Sequence, residues 1–234
     1  MNGAGDRRGE RGGAGSFQIA SDNKGCRMEF TAVQMDAMQE LANIGAAHAA
    51  TTLSQMLDTQ IGMSVPEINV VDISQVGEFL TDELTTLVVF ELQGDIPHGG
   101  FLILHFPRDS ALRTANIMQG SEQTEHPFGE MDKSAILEVG NIMVSSFLSA
   151  TSDLLGFIML PSPPALVFDM AHAAITSLIA QMTVEVDDVI LFRVKLTSEE
   201  HNIAGNILIF LEVSTLDKVA ARLEELTKQT PSSA

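Results

Sequence analysis

"GGFLILHFPRDSALRTANIM", residues 99–118, and "AGNILIFLEVSTLDKVAARL", residues 204–223, decide the fold. Each runs through a glycine, at least four apolar residues, a short polar step and an amphipathic helical stretch. The same order of elements surrounds both, displaced by about 98 to 105 residues. A period this long is too great for a solenoid, whose repeats run to roughly 20–50 residues. It predicts an α+β fold made of two pseudo-symmetric helix–strands–helix halves that share one sheet and one core. Edges left bare by one half would be covered by the other. The halves are expected over about 28–120 and 128–228, within a single domain spanning 28–234.

Upstream of the first copy, Thr31-Ala-Val-Gln34 fits a capping box that opens a long helix running to about Leu57. Short β-branched runs follow: "VPEINVVDI", "TTLVVFELQ" and "GGFLILHFP" read as strands, and "SALRTANIMQ" as a second helix. The pattern then recurs. A long helix covers about Met131 to Leu155, and "PALVFDM" supplies a strand. "LIAQMTVEV", "DVILFRVKLT" and "AGNILIFLEV" continue the strand-like runs, and "STLDKVAARLEEL" closes as a helix with Ser214 as its natural N-cap.

The bulk numbers narrow the function. The chain has 234 residues and a formal charge of −18, with one cysteine and neither Trp nor Tyr. A lone Cys26 excludes an internal disulfide framework and cysteine metal clusters, and suits a cytoplasmic protein. The negative charge argues against nucleic acid and anionic membranes as partners, and an acidic, Lys-poor surface also suits a salt-loving host. Residues 1–27 are Gly- and Arg-rich and are expected to form a disordered tail without an apolar leader; "RRGERGG" there resembles a nucleic-acid-binding segment only faintly. The most apolar long stretch, Leu154 to Ala180, is interrupted by Pro161, Pro163, Pro164, Asp169 and His172, so no membrane insertion is expected.

The first long helix, "MQELANIGAAHAATTLSQML" over residues 38–57, carries residues a helix disfavours. Asp36, Glu40 and Asn43 fall at i, i+4 and i+7, one stripe of a helix, away from the apolar stripe of Met38, Leu41, Ala42, Ala49 and Leu53. Ser134, Glu138 and Asn141 repeat the spacing on the second long helix. Pro66 and Pro164 each follow their Asn after 22 intervening residues. With residue frequencies near one in twenty, one such match has a chance of order 10⁻⁵ per starting position. Two in equivalent elements are no accident. Taken alone, Glu40 or Glu138 would be an ordinary solvated helix residue, and each proline an opener of a strand. Duplication would also copy a helix surface without copying a function. A mid-helix Asn costs propensity, however, and it occurs in both copies. Gly45 and Gly140 nearby add to that cost. A local rule broken twice in the same place points to a site.

These residues resemble the CheC-type phosphatases of bacterial and archaeal chemotaxis, a family that includes CheX and the flagellar switch protein FliY. The likeness spans about Phe30 to Leu226 and is densest in "ELANIGAAHAATTLSQML". Ala47 and His48 depart from the Gly-Asn pair common after the first "NIGA", and Ser134 opens the second row; neither change touches the Glu or the Asn. The resemblance implies that the chain hydrolyses the phosphoaspartate of the response regulator CheY. Asn43 and Asn141 would orient the attacking water, and Glu40 and Glu138 would pair with the regulator's lysine. Asp36 and Ser134 would add secondary contacts, with Pro66 and Pro164 structural. The regulator would supply Mg²⁺, so the chain would need no cofactor or metal of its own. An intact pair of motifs in one chain favours CheC over CheX. The family also implies a rival reading, an adaptor for the receptor deamidase CheD or the flagellar switch.

Overall fold

The computed structural model describes residues 31–72, 83–95, 100–121, 126–179 and 188–229. Helix α1 (Ala32–Leu57) is followed by strands β1 (Gly62–Met63), β2 (Glu67–Asp72), β3 (Leu84–Gly94) and β4 (Gly100–Pro107), then helix α2 (Arg108–Gln119). Helix α3 (Glu130–Leu155) opens the second half. Strands β5 (Met159–Pro161) and β6 (Ala165–Met170), helix α4 (Ala171–Ile179), β7 (Asp188–Ser198), β8 (Ile203–Glu212) and helix α5 (Val213–Gln229) complete it. The capping box forms as its sequence requires. The Thr31 N–H donates to Gln34 Oε1 at 2.9 Å, and the Gln34 N–H to Thr31 Oγ1 at 3.2 Å.

The strands form one antiparallel sheet in the order β1-β7-β8-β4-β3-β5, with β2 also on β7 and β6 also on β3. Two hairpins, β3–β4 and β7–β8, meet through β4 and β8 at the middle. Each half then sends its leading strands across to the other. Ile68 of β2 lies opposite Phe192 of β7, and Phe168 of β6 opposite Thr86 of β3. Neither half could keep these ladders alone, because its own β3 or β7 would present a bare edge.

Side chains alternate between the two sheet faces. Val88, Phe90 and Leu92 of β3 face the main core, closed by α1, α3, α2 and α5. Leu87 and Val89 face a smaller core with Ile103, Leu191, Leu208 and, from α4, Ala174 and Ile175. Helices α1 and α3 lie side by side and antiparallel. Met38 and Leu41, early in α1, share the walls of an apolar cavity of about 50 Å³ with Leu148, Thr151 and Leu155, late in α3. Thr52 Oγ1 and Ser146 Oγ join the pair at 2.7 Å.

Three details differ from the sequence reading. Helix α4 was not anticipated; it takes Leu178 and Ile179 from the run "LIAQMTVEV", whose remainder lies outside the described residues. A short apolar run carries too little periodicity to separate strand from buried helix. Helix α5 begins at Val213, so Ser214 is its second residue rather than its N-cap. Finally, Gly45 and Gly140 have a packing cause. A Cβ on Gly45 would lie 2.5 Å from Cε2 of Phe147 on α3, and one on Gly140 would lie 2.8 Å from Cγ1 of Val88 on β3. The glycines let helix meet helix and helix meet sheet, and they add nothing to the case for a site.

At the central β4–β8 pairing His105 is buried, 3% exposed, and its Nδ1 accepts from Asn206 Nδ2 at 3.0 Å. Burial holds its imidazole below the ordinary value, against a smaller opposite pull from the Glu83 carboxylate. The folded chain therefore keeps this ring neutral under conditions where the unfolded chain takes up a proton. The stability is fully present above the ordinary histidine value of about 6.5 and is lost as pH falls below it, at no more than about 1.4 kcal/mol per pH unit. Tm should fall between pH 7.5 and 5.5, and His105→Gln, which can still accept from Asn206, should flatten part of that slope. An unchanged slope in the variant would refute the assignment.

Candidate functional site

The site is best built from the two long helices, because each offers one row of polar residues on a rigid element. On α1, Asp36 and Glu40 are exposed and Asn43 is half-buried; on α3, Ser134, Glu138 and Asn141 are all exposed. The spacing that puts each triplet on one stripe thus also turns it away from the core, as Met38, Ala42 and Ala46 of α1 and Ile136, Val139 and Met143 of α3 point inward. Each row occupies the N-terminal half of its helix. Because the helices are antiparallel, the rows sit at opposite ends of the pair rather than in one cleft. The geometry therefore gives two separate surfaces, each a helix flank.

The rows are alike in spacing but supported differently. Pro66 and Pro164 each stand immediately before a strand, β2 and β6. In the first half this proline also acts through its backbone: Gln39 Nε2 donates to the Pro66 carbonyl at 3.1 Å, tying the residue beside Glu40 to the strand. The equivalent of Gln39 in α3 is Leu137, which cannot make the bond. Sequence reasoning missed Gln39, although its place next to Glu40 and the fixed Asn-to-Pro spacing together carried the signal. In the second half Ser134 Oγ donates back to the Glu130 carbonyl at 3.0 Å.

Chemically, a row of this kind offers one carboxylate and one amide on an outward helix. A carboxylate can pair with a cation, and an amide can donate and accept at once. Glu40, Glu138 and Asn141 stand exposed on their helix flanks, where a partner can bring a reacting centre to them. Among the described residues no three His, Cys, Asp or Glu side chains lie together as a metal would need. Helix α3 is long and apolar enough by length and composition to cross a membrane. Its apolar face is instead buried against α1, the sheet and α5.

Comparison with known proteins agrees with the doubled pattern. The CheC-like family matches the chain twice, over residues 33–70 and 131–168, which cover both rows and both prolines. The CheC1 protein of Halobacterium salinarum is 34% identical over 135 residues, 57% of this chain and 68% of its own. The CheY-P phosphatase CheC of Bacillus subtilis is 30% identical over 148 residues, 61% of this chain and 70% of its own. Among solved structures, Thermotoga maritima FliY superposes with a TM-score of 0.67 at 22% identity, covering 85% of this chain and 99% of the other. That last likeness bears on fold alone.

Proposed function

Since the chain belongs to the CheC-like family, we propose that it is a cytoplasmic chemotaxis phosphatase that hydrolyses the phosphoaspartate of the response regulator CheY. The observation that carries this reading is the doubled outward row, Glu40 with Asn43 and Glu138 with Asn141, on two equivalent helices. An acyl phosphate is reactive, so catalysis asks chiefly that a water be held in line with phosphorus, opposite the leaving carboxylate. The amide of Asn43 or Asn141 enters the regulator's active site and orients that water. It takes no proton, because an amide is no base at neutral pH. Glu40 and Glu138 pair with the regulator's active-site lysine and fix how far the helix enters. Asp36 and Ser134 make flanking contacts. Mg²⁺ and the lysine that stabilise the transferring group come from the regulator, and this chain contributes position.

The test is the decay of phosphorylated CheY with and without the protein, at low and high salt. Acceleration supports the reading. Glu40→Lys with Glu138→Lys should weaken binding more than tenfold, since each new lysine meets the regulator's own cation. Unchanged affinity in that double variant would remove the docking role. An adaptor that holds the deamidase CheD or the flagellar switch would use the same scaffold without needing two asparagines. It becomes the better account if decay is unaltered in both salts, with CheD present as well.

A further inference from the structure

Pro66 and Pro164 share a setting that the sequence pattern does not include. Between β1 and β2, Ser64, Val65 and Pro66 stand against only Lys195 and Val194 of β7. Between β5 and β6, Ser162, Pro163 and Pro164 stand against only Glu91 and Phe90 of β3. The extra residue makes each a β-bulge, which takes a backbone unit out of the ladder. A serine closes both bulges with the same three bonds. The Ser64 N–H donates to the Lys195 carbonyl at 2.9 Å, the Lys195 N–H to Ser64 Oγ at 3.0 Å, and Ser64 Oγ to the Val65 carbonyl at 3.1 Å. Ser162 repeats them with Glu91 and the Pro163 carbonyl, at 2.9, 3.0 and 3.0 Å. Proline, which lacks an N–H, suits a bulge.

What differs between the halves is the helix. In the first, the bulge turns the Pro66 carbonyl to α1, where it accepts from Gln39 Nε2 at 3.1 Å. In the second, α3 carries Leu137 at that place, and its side chain packs against the main core with no donor to offer. The support beneath the rows differs as well. The apolar cavity of about 50 Å³ is walled on α1 by Met38, Leu41 and Ala42, the residues interleaved with Glu40 and Asn43. On α3 its wall comes from Phe147, Leu148, Thr151 and Leu155, all beyond Asn141. Beside Asn141 the helix instead lies tight on the sheet, with Val88 Cγ1 2.8 Å from where a Cβ on Gly140 would stand. Atoms that line a void have no contacts on that side. Apolar packing therefore holds the first row less firmly than the second.

We propose that Gln39 is the positioning residue of the first row, tying the half of α1 that carries Glu40 and Asn43 to the bulge that Ser64 holds on the sheet. The proposal rests on the reading of Glu40 as the docking group and Asn43 as the group that places the water. Above the cavity the helix can shift, and the bond from Gln39 to the Pro66 carbonyl opposes that shift. Ser64 supports the bond from below by fixing the bulge to both backbone groups of Lys195. Ser162 fixes its own bulge equally well, but no side chain at position 137 passes that order on to α3. Gln39 and Ser64 act through the helix and touch no substrate. The two reactive groups of the row differ in tolerance. An ion pair weakens slowly with distance, whereas a water in line with phosphorus demands close placement. Loosening α1 therefore slows the reaction more than it weakens docking.

Full-length Asn141→Ala leaves only the α1 row for catalysis, and Asn43→Ala only the α3 row. Gln39→Leu, which gives α1 the residue that α3 carries, should lower kcat about fivefold in the Asn141→Ala background, inside the roughly hundredfold that a slip of about 1 Å can cost. KM for the phosphorylated regulator should stay within about twofold, and the same change in the Asn43→Ala background should leave both constants alone. The two serines supply a matched control. Ser64→Ala and Ser162→Ala each free the same backbone groups, so they should lower Tm alike. Yet Ser64→Ala should slow the first row, and Ser162→Ala should leave the second untouched. Amide hydrogen exchange in the free protein reads the tie without any activity. Protection at residues 36–43 should fall in Gln39→Leu and in Ser64→Ala, whereas protection at 134–141 should hold in Ser162→Ala. Unchanged exchange in Gln39→Leu would overturn the proposal. So would a rise in KM with kcat held, or equal slowing of the two rows by their serine variants. Absence of acceleration by either row would sink the phosphatase reading instead, and exchange would still decide whether Gln39 holds the helix.

Discussion

Replacing both asparagines, Asn43→Ala with Asn141→Ala, should abolish the acceleration of CheY-phosphate decay while leaving the complex able to form. Loss of a group that places a reacting water costs about 10²-fold or more, the size of effect seen when geometry slips by an ångström. Binding should survive because Glu40 and Glu138 are untouched and the helices are intact. Unfolding cannot mimic the result. Alanine is the better helix former by a few tenths of a kcal/mol at such positions, so Tm should hold or rise slightly. The single variants should divide unequally. Asn141 is exposed on its helix, whereas Asn43 is half-buried, so Asn141 reaches further into a partner. Asn141→Ala should therefore remove more than half of the acceleration and Asn43→Ala less. A double variant that retains acceleration within about twofold, far short of that loss, would show that the amides do not place the water.

That asymmetry marks the boundary of what the sequence could convey. The spacing of Asp36, Glu40 and Asn43 dictated an outward stripe, because helical periodicity alone fixes which residues share a face. The capping box at Thr31 and Gln34 fixed where α1 begins. Duplication announced two halves and one sheet. The exchange of strands was not legible, since alternation tells which face a residue takes and not which strand lies beside it. Nothing in "VPEINVVD" names β7 as its neighbour rather than β3. The supports of the rows were hidden for a related reason. Gln39 meets Pro66, and Asp132 meets Gln119, only after the chain has folded back on itself.

The glycines show most clearly how a correct observation led to a wrong cause, and they carry the second large prediction. Gly45→Ala should destabilise the protein by about 1–3 kcal/mol through overpacking, lowering Tm by roughly 3–10 °C for a chain of this size. At an open helix position the same change would stabilise by about 1 kcal/mol. The sign turns on what the new methyl meets. Three ring atoms of Phe147 lie at 2.5, 2.7 and 2.8 Å from it, and that ring is itself held in the core at 5% exposure. It cannot swing aside without displacing the packing beneath α1. The same reasoning covers Gly140→Ala, where the obstacle is Val88 on a sheet strand and still less able to yield. Gly45→Ala combined with Phe147→Leu should recover part of the loss, so the pair of changes costs less than their sum. Strict additivity would place the cause elsewhere than in this contact. Because α1 and α3 hold the two rows at a fixed relation, Gly45→Ala should also disturb the first row, two residues from Asn43. A variant that folds fully at low temperature yet docks poorly through α1 would tie the packing of the helix pair directly to its function.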